Sequence, residues 1–157
     1  MRQIDEIIVH CSDTRAGMNF TAADIKRWHR EKGYRTIGYH YVVDLDGMVE
    51  VGRPIAQIGA HCKYHNANSI GVCYIGGQDA QGHHADTRTD AQKRALRTLL
   101  TNLVRQLCAP IYGHRDFAAR DCPCFDARSE YADIYADLLA RQRADIDATF
   151  PPPTAAG

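Results

Sequence analysis

Two histidines and a cysteine in distant parts of the chain have side chains suited to binding one metal ion. His10 follows the apolar run Ile7-Ile8-Val9, whereas His114 and Cys122 share the segment Gly-His-Arg-Asp-Phe-Ala-Ala-Arg-Asp-Cys-Pro that begins at position 113. Two imidazoles and a thiolate supply three ligands to a tetrahedral zinc ion and leave the fourth position to water. A structural zinc site normally has a fourth Cys or His, so the pattern favours a catalytic site and an enzyme.

The spacing of these residues alone does not decide the ligand set. His114 and Cys122 are eight positions apart, a separation that also arises by chance, and a lone histidine at a strand end is more often a surface residue. Cys124, two positions after Cys122, offers a second thiol. A fourth ligand from Cys124 or His40 would turn the site into a structural one, and that alternative stays open here.

Size and charge restrict the class of protein. The chain has 157 residues and 17.5 kDa, the usual size of one domain with a single core. Its 19 basic and 19 acidic residues give a formal net charge of zero. A nucleic-acid-binding protein needs a basic surface to neutralise phosphates, and a polybasic membrane anchor needs clustered Lys and Arg. We therefore expect no nucleic-acid partner and no polybasic membrane anchor. No apolar run is long enough to cross a membrane, and we expect a monomer.

The N-terminus and the cysteines bear on where the chain folds. Residues 1–6 alternate charged and apolar side chains and do not resemble a secretory signal, so we expect synthesis in the cytoplasm. In such a reducing compartment the six cysteines are better explained as small buried residues plus one ligand than as disulfides. Cys73 and Cys108 are predicted to lie in the core.

Strand and helix patterns alternate along the chain. Apolar runs predict strands over residues 4–9, 69–75 and 110–113, and Asp46-Gly47 predicts a hairpin between 37–45 and 48–51. Thr21 should cap a helix that ends at Gly33, Thr89 should open a long amphipathic helix, and a last helix should span 126 to about 146. This order predicts a single α/β domain whose central mixed β-sheet is flanked by helices.

Five short motifs follow one another in a fixed series. They are His-Cys-Ser from position 10, Gly-Tyr-His-Tyr from 38, Asn-Ala-Asn-Ser-Ile-Gly-Val from 66, Gly-His-Arg-Asp from 113 and Cys-Pro-Cys-Phe-Asp from 122. The series resembles the zinc-dependent N-acetylmuramoyl-L-alanine amidases, the type-two amidases, which include amidase-type phage lysozymes and peptidoglycan-recognition proteins. The resemblance spans about residues 4–126. It implies an amidase domain over residues 1–148, followed by a disordered tail over 149–157.

The resemblance also implies roles for individual residues. It implies that His10, His114 and Cys122 bind Zn²⁺ and that the phenol of Tyr39 reaches the attacking water or the scissile carbonyl. Arg120 departs from the family pattern, because bacterial and phage members commonly have Lys at this position. Arg keeps the positive charge but has a planar, forked head, so we expect it to stabilise the oxyanion with altered geometry.

Further residues fall in segments that line the cleft of the family. His61 and Asn66 are implied to contact the substrate, although a loop histidine bonded to backbone would explain His61 nearly as well. His40 is expected to support the site without binding metal. His83 and His84 are expected to form a solvated pair on a loop.

The function implied by the resemblance is hydrolysis of the amide between N-acetylmuramic acid and L-alanine in peptidoglycan. An enzyme without an export signal would suit a phage or prophage endolysin that reaches the cell wall on release, a recycling amidase, or an injected effector. A peptidoglycan-binding module of the same fold without hydrolytic activity is the main alternative. A structural zinc protein or interaction domain is another. The chain has no H-E-x-x-H motif, which argues against the common metalloproteases.

Overall fold

Five strands form a mixed sheet at the centre of the computed structural model, which describes residues 1–155. The described residues contain seven strands in all: β1 (Glu6–Cys11), β2 (Thr14–Arg15), β3 (Tyr41–Val43), β4 (Val49–Val51), β5 (Ser69–Tyr74), β6 (Gly77–Gln78) and β7 (Ile111–Gly113). The sheet order is β4-β3-β5-β1-β7, with only the β3–β4 pair antiparallel, and β2 pairs with β6 separately. The predicted α/β fold with a mixed sheet is confirmed.

Four helices accompany the sheet. They are α1 (Ala22–Glu31), α2 (Asp90–Leu107), α3 (Ala127–Glu130) and α4 (Ala132–Thr149). Two short 3₁₀ helices, Asn66–Asn68 and His114–Asp116, precede β5 and follow β7. The predicted division at residue 148 stays a prediction, and the last two residues of the predicted tail, 156 and 157, lie outside the described residues.

Several predicted boundaries differ from the structure. β1 continues to Cys11, so His10 lies inside the strand and not beyond it, because parallel pairing with β5 extends to Cys11 opposite Tyr74. The last helix is divided at Tyr131, whose φ of −107° leaves the helical range while its ring is buried. β2 and β6 have two residues each, too few to give a sequence pattern.

The two faces of the sheet bury different groups. Ile7 and Val9 of β1 pack with Leu100 of α2 in the larger core, whereas Cys73 of β5 packs with Ile25 of α1 on the other face. Successive residues of a strand point to opposite faces, so His10 points to the α1 side together with its neighbour Cys73. His10 therefore lies on the side of the smaller core, whereas Cys122 packs against the larger one.

The two structural cysteine predictions had different outcomes. Cys73 is fully buried, as predicted. The prediction that Cys108 lies in the core was wrong, because Cys108 ends α2 in a left-handed conformation (φ 53°) and is exposed. Its side chain thus leaves the apolar face that the preceding helical residues share.

The start of α2 is fixed by its cap and by a buried amide. The Thr89 side chain accepts a hydrogen bond from the Gln92 backbone N–H (3.1 Å), and the Gln92 side chain accepts one from the Thr89 N–H (3.0 Å), which is the predicted capping box. The Gln92 amide also donates to the carbonyls of Val43 (3.2 Å) and Ile75 (2.9 Å). It ties α2 to the ends of β3 and β5.

Arg88 holds the loop before α2 against the segment that follows Cys122. Its guanidinium is only 2% exposed, binds both oxygens of Asp86 and of Glu130, and lies 3.4 Å from the centroid of the Phe125 ring. The Tyr131 hydroxyl accepts a further hydrogen bond (2.9 Å). The planar fork of Arg matches two carboxylates at once, which a Lys ammonium cannot do.

Two histidines brace the Gly38–His40 segment by accepting hydrogen bonds. The Gly38 N–H donates to His29 Nδ1 (2.8 Å), and the Gly71 N–H donates to His40 Nδ1 (3.0 Å). His40 Nε2 therefore carries the proton and donates to the Gln57 carbonyl (2.8 Å). Burial lowers the pKa of each of these histidines to about 4, so both rings are neutral at neutral pH.

None of the four helices described has an apolar stretch long enough to cross a bilayer.

Replacing Arg88 with Lys should lower the free energy of unfolding by about 2 kcal/mol, because several charge-assisted hydrogen bonds are lost around a buried head group. Arg97→Lys is the matched control: its pair with Asp133 is about half exposed, and a change below about 0.5 kcal/mol is expected. Urea unfolding of both variants measures the difference. Equal losses would contradict the role given to Arg88.

The free energy of unfolding should decrease as the pH falls from about 6.5 to about 4. In this window the unfolded chain binds protons at His29 and His40 that the folded chain does not bind, and the slope per histidine is at most about 1.4 kcal/mol per pH unit. His29→Asn keeps an acceptor for Gly38 without a titrating ring, so it should flatten this dependence. His83→Asn, on the exposed loop, is the control. Unfolding is measured at several pH values, and an unchanged slope of the unfolding free energy against pH in His29→Asn would contradict the role of His29.

Candidate metal centre

Parallel pairing of β1 with β7 brings two of the predicted ligands side by side. Val9 is in register with Gly113, so the next residues, His10 within β1 and His114 just after β7, lie at the same level, with ring centroids 4.6 Å apart. Cys122 reaches them from the loop after the second 3₁₀ helix. Its Sγ accepts a hydrogen bond from the Cys11 N–H (3.2 Å), and its carbonyl accepts one from the Arg115 N–H (2.8 Å). The loop is thus held against the end of β1.

The three side chains are close enough to share one ion. One ligand atom from each of His10, His114 and Cys122 lies within 4.8 Å of the others. His10 Nδ1 is 3.9 Å from Cys122 Sγ, close to the separation of about 3.6 Å that tetrahedral zinc imposes on a nitrogen and a sulfur ligand. Among residues 1–155, no fourth His, Cys, Asp or Glu joins this group. The donor set fits zinc with one position left to solvent or substrate.

Burial prepares the imidazoles for binding a cation. His10 is 1% exposed, and burial, reinforced by the nearby His61, His114 and Arg120, lowers its pKa well below the usual value. Burial and the charge of Arg120 also lower the pKa of His114. Both rings are therefore neutral at neutral pH and have a lone pair available. His114 and Cys122 are only half-buried, so the site opens on their side.

Tyr39 lies directly beside His10. The ring centroids of the two residues are 5.1 Å apart, and the Tyr39 ring also packs against His29 at 5.4 Å. Burial, together with the neighbouring thiols, raises the pKa of Tyr39 well above its usual value. The phenol therefore keeps its proton, and next to the predicted ligands it can act as a hydrogen-bond donor.

Arg120 supplies positive charge at the open side of the cluster. It is exposed, and its charge contributes to the lowered pKa values of His10 and His114. Within residues 1–155, no carboxylate pairs with its guanidinium. The charge is therefore free to interact with an anionic group in the cleft.

His61 contacts protein on both ring nitrogens. Its Nδ1 is 2.8 Å from His10 Nε2, and its Nε2 is 3.2 Å from Ser69 Oγ. Burial lowers the pKa of His61 to about 3, so the ring is neutral. The direct contact with a predicted ligand was not expected from the sequence, since 51 positions separate the two residues.

Asn66 organises the loop that carries His61. Its Oδ1 accepts hydrogen bonds from the backbone N–H groups of His61 and Cys62, both at 2.9 Å. The amide NH₂ of Asn66 has no hydrogen-bond acceptor within the described chain. Contacts of His61 and Asn66 with substrate stay predictions.

Two other side chains near the cluster have partners of their own. Cys124 Sγ faces the Gly77 carbonyl (3.4 Å) and Cys11 Sγ (4.0 Å) and does not join the ligand group.

His84 was predicted to be solvated. It is exposed but lies between Asp13 (3.1 Å) and Asp121 (2.6 Å), and the hydrogen bond to Asp121, aided by Asp13, raises its pKa. It connects the loops that follow β1 and precede Cys122.

The chain is similar in sequence to known amidases and phage endolysins. The family model described as N-acetylmuramoyl-L-alanine amidase matches residues 1–125. The endolysin of Klebsiella phage KP32 is 41% identical over 128 residues, which cover 81% of this chain and 85% of that protein. The endolysin of Escherichia phage T7 is 41% identical over 125 residues, covering 79% and 83%.

A solved structure gives the same result for the fold. The N-acetylmuramoyl-L-alanine amidase LysC from Clostridium intestinale superposes with a TM-score of 0.72 at 25% identity, covering 88% of this chain and 87% of that one. The residues that the family model matches include His10, His114 and Cys122. The chain therefore belongs to the N-acetylmuramoyl-L-alanine amidase family.

Proposed function

We propose that this amidase uses a zinc ion held by His10 Nδ1, His114 and Cys122 to hydrolyse the amide between the lactyl group of N-acetylmuramic acid and L-alanine in peptidoglycan. The observation that carries the proposal is the cluster of three ligand atoms within 4.8 Å, with no fourth protein ligand among residues 1–155. A cluster with one position left over suits catalysis, since a closed site would have no place for a reacting oxygen.

The charges of the site fit the chemistry of amide hydrolysis. When bound, zinc would bring the pKa of a water molecule to about 7 and polarise the scissile carbonyl. Arg120 lies at the open side, where its charge stabilises the oxyanion that develops as the carbonyl is attacked. Tyr39, which keeps its proton, donates a hydrogen bond to the same oxygen or orients the attacking water. The departing amine of the stem peptide takes up a proton relayed through water.

The rest of the cleft supports a peptide-bearing substrate. The free amide NH₂ of Asn66 can donate to a carbonyl of the stem peptide. His61 uses both ring nitrogens within the protein, so any contact it makes with substrate comes from the edge or face of the ring. The phage endolysins among the relatives favour an endolysin-like enzyme whose target is the bacterial cell wall.

The alternative is a peptidoglycan-binding module that does not hydrolyse. This reading is weaker because Cys122 is present, lies within reach of His10, and is fixed by hydrogen bonds at its sulfur and carbonyl. A module without catalysis needs no such thiolate. Release of peptides that begin with L-alanine from purified sacculi distinguishes the two.

Removing the thiolate should abolish both metal binding and hydrolysis. Loss of a residue that hydrogen-bonds a metal ligand typically lowers metal affinity or activity by about 10–100-fold. Loss of the ligand itself in Cys122→Ser should therefore reduce peptide release by more than about 100-fold. A chelator should have a similar effect on the wild type. Cys124→Ser is the matched control and should keep its zinc and its activity. Zinc content and peptide release are measured in the same samples; chelator-resistant release by Cys122→Ser would refute the zinc mechanism.

The role of Arg120 can be tested by separating charge from shape. Arg120→Ala should lower kcat by about 100- to 1,000-fold, the usual effect of losing an oxyanion-stabilising group, whereas Arg120→Lys should lose much less. Zinc content should be unchanged in both variants, because Arg120 is not a ligand. Steady-state hydrolysis of a defined muropeptide gives the comparison, and equal rates for the Ala and Lys variants would show that the charge is not used.

A further inference from the structure

A chain of three side chains leads away from the metal cluster into the protein. His10 Nε2 is 2.8 Å from His61 Nδ1, the two rings are perpendicular with centroids 4.9 Å apart, and His61 Nε2 is 3.2 Å from Ser69 Oγ. Ser69 is fully buried at the start of β5.

The direction of the hydrogen bonds follows from the ligand atom. His10 Nδ1 faces Cys122, so a metal bound there leaves the proton of the neutral ring on Nε2. His10 Nε2–H then donates to His61 Nδ1, which must be the unprotonated nitrogen of that ring. The proton of His61 is consequently on Nε2 and is donated to Ser69 Oγ. With a metal on His10 Nδ1, only this pair of tautomers satisfies both contacts.

Two glycines form a slot that fixes the His61 ring. A Cβ added to Gly71 would lie 2.6 Å from His61 Cγ, and a Cβ added to Gly59 would lie 2.7 Å from His61 Cδ2. Both distances are too short for any real side chain, so the ring fills the space that the missing Cβ atoms leave. The backbone N–H of His61 donates a hydrogen bond to Asn66 Oδ1, which holds the backbone in place. Neither the ring nor its backbone can shift without moving β5 or this loop.

We infer that His61 is a positioning residue that holds His10 in the tautomer and orientation needed for metal binding, with Ser69 fixing His61 in turn. The inference rests on the proposed zinc function. Histidine ligands usually donate their second N–H to a carboxylate, a carbonyl or water. A neutral imidazole fixes the tautomer equally well but adds no negative charge, so the metal ion keeps more of its positive charge for the substrate.

Zinc affinity measured by competition with a chromophoric chelator tests this directly. His61→Leu removes the acceptor and should weaken zinc binding by about 10- to 100-fold, the usual effect of losing such a partner. His61→Asn has nearly the same shape as Leu and places Oδ1 where Nδ1 was, so it should bind zinc within about threefold of the wild type. Absorption of the cobalt(II)-loaded proteins should change in His61→Leu and stay close to the wild type in His61→Asn.

The outcomes separate this inference from the function on which it rests. A wild-type protein that binds no zinc would remove the proposed function. Wild-type affinity in His61→Leu, or equal weakening in the Leu and Asn variants, would overturn the role of His61 alone. If circular dichroism shows that His61→Leu does not fold, His61→Gln replaces it, since its Oε1 lies near the position of Nε2 and not of Nδ1. Weaker binding in Gln than in Asn supports the inference, and equal affinities overturn it.

Discussion

The parallel pairing of β1 with its neighbours is the constraint on which the site depends. Its register with β7 sets Val9 opposite Gly113, so that His10 and His114 follow at the same level, and its register with β5 sets His10 beside Cys73. Ile7, Ile8 and Val9 are completely buried, so a slip of one residue would move an apolar set to the wrong face and turn His10 away from Cys122. Core packing and metal geometry therefore select the same register.

A histidine ring that is largely shielded from water has to be neutral and hydrogen-bonded. His10, His40 and His61 meet this condition in the same way: each ring has at least one nitrogen paired with a protein group, and burial lowers each pKa. An unpaired polar group at this depth would cost about 1–3 kcal/mol. Glycine at 59 and 71 allows the rings to approach the backbone closely enough for these bonds to form. Fold stability and readiness for a cation thus come from one arrangement.

The sequence predicted those features that are local or that depend on residue type. The apolar runs, the Asp46-Gly47 turn and the Thr89 capping box gave the order of elements, and donor chemistry with the motif series gave the three residues that the structure brings together. It could not give the contact of His61 with His10, because this depends on two glycines and on a loop held by Asn66. The extension of β1 to Cys11 likewise depends on pairing with β5, which the sequence of β1 does not contain.

The site is divided into a fixed side and an open side, and the two sides differ in how they should tolerate substitution. His10 is buried and held through His61 and Ser69, so changes there disturb several hydrogen bonds at once. Arg120 is exposed, pairs with no carboxylate in residues 1–155, and acts on His10 and His114 only through its charge. A long side chain in water can adjust its position at little cost, so a guanidinium and an ammonium can both present a positive charge there. The proposed mechanism needs only a positive charge within reach of the developing oxyanion on the open side, whereas on the buried side it depends on the particular atom that accepts from His10.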